Sequence, residues 1–109
     1  MGHDAELFAG DERIGYWRSK RSIHAAFAAL SKVSLYGATA EVAMIHDGGG
    51  SCEYRVVGGE AMSSVFEAAA EIMRVLDGLG VEEVEHIIGQ AMSAAYRSSA
   101  TEFTYKATW

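Results

Sequence analysis

Residues 39–57, TAEVAMIHDGGGSCEYRVV, constrain the fold more than any other stretch of the chain. Two alternating segments flank a run of glycines, and glycine tolerates the positive φ that tight hairpin turns demand. The stretch therefore reads as a β-hairpin. A three-residue loop, Gly48-Gly49-Gly50, sets Val42 opposite Val56, Met44 opposite Tyr54 and His46 opposite Cys52 on one mostly apolar face. Glu41, Ala43 and Ile45 then share the other face with Glu53, Arg55 and Val57. Because strand side chains alternate, a slip of one residue would turn every one of them to the wrong face.

A hairpin with one apolar face needs cover, and three helical stripes can supply it. Ile23, Ala26, Phe27, Leu30 and Val33 fall on one face of a helix from Ser19 to about Tyr36, with Gly37 as its C′ residue. Gly58-Gly59 closes the hairpin's second strand and opens a helix carrying Met62, Val65, Phe66, Ala69, Ile72, Met73 and Leu76. A third helix runs from Val81 to about Arg97, with Val84, Ile87, Ile88, Ala91, Met92 and Ala95 along one side. Glu82, Glu83 and Glu85 enrich its start and Arg97 sits at its end, as the helix dipole prefers. The short Gly78-to-Gly80 link folds residues 60–97 into an antiparallel helical hairpin.

Two further segments read as strands. AELFAGDERIGYW turns at Gly10-Asp11, and TEFTYKATW places Phe103, Tyr105, Ala107 and Trp109 on one side. The order β-β-α-β-β-α-α-β predicts one α+β domain over residues 1–109. Its antiparallel sheet has four to five strands, with the helices on one face. The last strand pairs inside its own sheet or completes a neighbour's. Three apolar helix stripes and an aromatic strand are generous for 109 residues, so a homodimer or higher oligomer is expected.

Composition narrows the function classes. No apolar run approaches the roughly 18 residues of a membrane span. The opening MGHDAE lacks a basic region followed by an apolar stretch, and there is a single Cys, so a reducing cytoplasmic location is expected. GGGS lacks the Lys-Ser/Thr ending of a P-loop, and VVGGEAMSS lacks a G-x-G-x-x-G pattern. No His or Cys spacing matches a metal motif, even with His24 and His86 considered. Neither a cofactor nor a metal is expected.

The charge is unevenly spread. Residues 13–40 hold five cations and no acid against a chain total of −6, which leaves −11 on the rest. An acidic chain disfavours long nucleic acid as a partner. Yet Arg13, Arg18, Lys20 and Arg21 gather beside Tyr16 and Trp17, where a helix begins. Cations there oppose the helix dipole, so something negative belongs against them. Backbone N–H groups, the Ser19 and Ser22 hydroxyls and the guanidinium groups suit a phosphate or carboxylate, and Tyr16 and Trp17 could stack a flat ring. The simplest alternatives are the protein's own surplus carboxylates or those of a second copy.

These residues make the leading function expectation a non-enzymatic binding protein for a small anionic, phosphorylated or nucleotide-like ligand. A second expectation is an inhibitor or adaptor that docks on a protein partner through the charge asymmetry. A third is a thiol enzyme built on Cys52 and His46, since a Cys–His pair can generate a thiolate. No motif supports the pair, and a free Cys is most often buried and inert.

Overall fold

A computed structural model describes residues 3–32 and 41–109. In chain order its elements are β1 (Asp4–Ala9), β2 (Glu12–Arg18), α1 (Arg21–Ser31), β3 (Glu41–Gly48), β4 (Ser51–Val57), α2 (Gly59–Val75), α3 (Val81–Arg97) and β5 (Glu102–Thr108). They form the expected α+β arrangement. One antiparallel sheet has the strand order β2-β1-β5-β4-β3, so the last strand lies at the centre of its own sheet. α2 packs between α1 and α3, while α1 also meets β3 and α3 meets β2.

Alternation along each strand divides the sheet into two faces. Ala5, Leu7 and Ala9 of β1, Cys52, Tyr54 and Val56 of β4, and Phe103, Tyr105 and Ala107 of β5 point toward the helices and are buried. The helices answer with Ile23, Ala26 and Phe27, then Met62, Val65, Phe66, Ala69 and Met73, then Val84, Ile88, Ala91 and Ala95. All of these share one core. Leu76 departs from its expected stripe: it follows the last residue of α2 and stands 76% exposed. The expected C-terminal part of α1, with Val33, Tyr36 and Gly37, lies outside the described residues.

Two irregularities of register set which side chains face the helices. β3 and β4 are joined by a two-residue turn, Gly49-Gly50, with φ of +68° and +88°, closed by Gly48 opposite Ser51. Two positive φ values in succession suit the twist of a hairpin, and glycine adopts them without strain. The expected three-residue loop is therefore replaced by a shorter turn, and the extra residue appears as a bulge at Ile45. Val42 still faces Val56 and Met44 still faces Tyr54. Beyond the bulge, however, His46 faces Glu53 and Asp47 faces Cys52.

The second irregularity lies at the other edge. β2 bulges at Ile14, and it continues to Arg18 rather than yielding to a helix at Ser19. Ser19 takes a left-handed φ of +61°, which no helix interior accommodates, so α1 begins at Arg21. Strand alternation thus sends Trp17 into the core at 6% exposure and leaves Tyr16 on the open face. The indole N–H of Trp17 donates to the Ile87 carbonyl at 2.7 Å, which joins β2 to α3.

The Trp17 ring lies over Gly15, where an added Cβ would fall 2.5 Å from the ring's far edge. Because the ring is buried and hydrogen-bonded, it has little freedom to move aside. Gly15→Ala is expected to destabilise the fold by about 1–3 kcal/mol, the range for overpacking a filled core. Urea denaturation would measure this. The same substitution should cost much less in a Trp17→Phe background, and equal costs in both would refute the assignment.

Candidate functional site

Five segments converge at one end of the sheet. They are the start of β1, the first turns of α1, the β3–β4 turn, the middle of β4 and the end of β5. Here the inner face of the sheet carries Ala5, Ala107 and Cys52 side by side. Polar side chains gather around this row of small residues. His24 projects from α1, and its Nε2 lies 2.8 Å from Asp47 Oδ2. The Tyr54 hydroxyl donates to the same carboxylate oxygen. Hydrogen bonds from Tyr54 and His24 hold the Asp47 carboxyl below its ordinary pKa. Ionised, it can only accept, so Nε2 of His24 carries a proton.

His3 lies beside His24, with ring planes 9° apart and centroids separated by 5.7 Å. The Trp109 ring sits 5.5 Å from His3 and 5.3 Å from His24. His3 is 4% exposed, and among the described residues neither of its ring nitrogens has a hydrogen-bond partner. Burial, then the nearby His24 and Arg21, push its pKa below the ordinary histidine value. The strained Ser19 helps to place it, since the Ser19 amide donates to the His3 carbonyl at 2.6 Å. His3, Arg21, His24 and Trp109 enclose a hollow of about 220 Å³.

The residues singled out from sequence separate into three groups. Arg13 reaches Glu6 at 3.3 Å and lies 5.5 Å from the Tyr16 ring centre. Arg18 lies 3.7 Å from Asp4, which also accepts a hydrogen bond from Tyr16 at 3.3 Å. On this open face the protein's own acids answer its cations. Tyr16 and Trp17 occupy opposite faces of β2, so they do not form the expected stacking pair.

Ser19, Lys20, Arg21 and Ser22 stay together and line a second hollow of about 370 Å³, shared with Met73, Asp77 and Leu79. α1 has no side-chain cap, and its first turn contains no acid. Among the described residues, neither Lys20 nor Arg21 has a carboxylate within ion-pair distance. Arg21 borders both hollows.

The third group is the Cys52–His46 pair, which the bulge at Ile45 takes apart. His46 turns to the open face, where its Nε2 lies 3.1 Å from the Ser51 hydroxyl. Cys52 is buried, and burial followed by the charge of Asp47 raises its thiol to about 11. A thiol so placed stays protonated at neutral pH. Asp47 takes the place opposite Cys52 instead. Among the described residues, no group of three or more His, Cys, Asp or Glu side chains is placed to hold a metal.

Sequence reasoning missed His3, His24, Asp47, Tyr54 and Trp109 as one cluster. Each comes from a different element, and no spacing links them. The signal that could have raised His24 is its position one residue after Ile23 and three before Phe27, on the buried side of α1.

The cluster fixes how stability depends on pH. The folded chain resists protonating His3, whose ordinary pKa is 6.5, so stability falls as pH drops through that value. Asp47, held below its ordinary 3.8, adds a second loss as pH falls further. Denaturation midpoints measured against pH should show both losses. His3→Phe should flatten the first and Asp47→Asn the second; unchanged slopes would refute the assignments. Comparison with family models, curated proteins and solved structures gives no match.

Proposed function

We propose that this protein is a non-enzymatic binding protein for a small anionic ligand, with Arg21 as the anchor. The supporting observation is the unpartnered buried His3 beside an Arg21 that has no carboxylate at ion-pair distance among the described residues. A buried polar group without a partner costs on the order of 1–3 kcal/mol, and a ligand can remove that cost. The first turn of α1, uncapped, adds positive potential from its N–H groups. The Trp109 ring offers a flat apolar surface next to the charge. Lys20, Ser19 and Ser22 extend the polar surface on the far side of Arg21.

A second reading, a module that docks on a protein partner, draws on a different feature. An open groove of about 880 Å³ runs between β2 and α3, bordered by Ile14, Met92, Tyr96 and Arg97. β2 is an edge strand there, with unpaired backbone groups that another chain could meet.

Thermal-shift measurements against nucleotides, sugar phosphates and dicarboxylates separate the two readings. A stabilising anion is expected, and Arg21→Ala should abolish its effect. Arg13→Ala and Arg18→Ala should leave it intact, because those cations are held by Glu6 and Asp4. If no anion stabilises the protein, the ligand reading falls. The proposal includes self-association, and gel filtration with light scattering showing only monomer at micromolar concentration would overturn that part.

A further inference from the structure

We infer that the ligand carries a phosphate-type dianion and that the site takes up one proton when it binds, on His3. This rests on the anion-binding reading and names the ligand class for the same hollow.

The partners available to His3 decide its charge. As a neutral imidazole it holds one N–H and one lone pair, and both lack partners among the described residues. As an imidazolium it is a pure donor and needs negative charge nearby. The charged and titratable groups that face it are Asp4 on its own strand and Arg21 and His24 on α1. Asp4 is engaged by Tyr16 and Arg18 on the open face. His24 is tied to Asp47 of β3, and the indole of Trp109 is uncharged. These surroundings favour neutral His3, in keeping with its lowered pKa.

A dianion changes the balance. One negative charge answers Arg21 and the second stabilises the imidazolium, so proton and ligand enter together. A single carboxylate brings one charge and would leave His3 neutral. A phosphate group near neutral pH carries nearly two charges and several acceptor oxygens. His3 is almost wholly buried, and the Trp109 ring packs against both imidazoles. Ligand entry therefore moves Trp109, whereas Trp17, the other of the two tryptophans, stays fixed by its bond to Ile87.

Calorimetric titration with phenyl phosphate, inorganic phosphate and benzoate, in buffers of different ionisation enthalpy, tests this. Phenyl phosphate should bind with uptake of close to one proton at pH 7.5, and its Kd should weaken about tenfold per pH unit between pH 7 and 8. Inorganic phosphate should bind more weakly, because it has no ring for Trp109, and should show a smaller uptake, because part of it already carries the proton at pH 7.5; benzoate should show none. Tryptophan fluorescence should respond to phenyl phosphate and lose the response in Trp109→Phe.

His3→Gln keeps a donor and an acceptor but cannot titrate. It should bind phenyl phosphate without proton uptake. Binding by the unaltered protein with no uptake overturns this inference and leaves the anion site standing. Uptake that survives His3→Gln but disappears in His24→Gln overturns the assignment to His3. No binding of either phosphate at millimolar concentration overturns the ligand class.

Discussion

Strand β5 is the constraint on which the rest depends. β1 and β2 form one hairpin and β3 and β4 another, and β5 is the strand that pairs with a member of each. The inner face of the sheet is therefore set by β5's alternation. Phe103 lies between Ala9 and Val56, Tyr105 between Leu7 and Tyr54, and Ala107 between Ala5 and Cys52. The first two rows carry Phe103, Val56, Leu7, Tyr105 and Tyr54 and fill the space beneath the helices. The third is small throughout, and there the apolar core gives way to His24, His3 and Trp109. The candidate site thus follows from which β5 residue is small.

Asp47 reaches that site through a conflict between turn chemistry and facial alternation. The glycines favour a two-residue turn, which shifts the pairing by one position from a three-residue loop. Without compensation, the apolar face of β3 would point outward. The bulge at Ile45 restores the pairing of Val42 and Met44, but beyond it the parity changes. Asp47 replaces His46 on the inner face. Its carboxylate stays partly open to solvent, and Tyr54 and His24 both bond to it. The His24 contact also holds α1 against the β3–β4 hairpin.

The same physics decides what could be seen in the sequence. Element order, helix stripes and the faces of β1, β4 and β5 follow from periodicity, and periodicity is local. The turn was not legible, because a run of three glycines permits two loop lengths and only packing chooses between them. The fates of Tyr16 and Trp17 depended on whether β2 reached Arg18. That in turn depended on a left-handed Ser19, a residue type that rarely signals such a conformation. The histidine cluster was illegible for a different reason. Its members are brought together by tertiary contacts across residues 3–109, and no local pattern encodes that.

Distance divides the cations of the basic passage into two sets. Arg13 and Arg18 are matched by Glu6 and Asp4 across the β1–β2 ladder, in exposed pairs of the kind typically worth about 0–1 kcal/mol. Lys20 and Arg21 lie beyond that ladder, and α1's dipole adds to their positive potential. Screening limits each exposed charge to roughly 8–10 Å at ordinary ionic strength, while the molecule measures 33 × 32 × 26 Å. A small anion at Arg21 would therefore meet mainly local cations. A long polyanion would lie across much more of a surface whose net charge is −6.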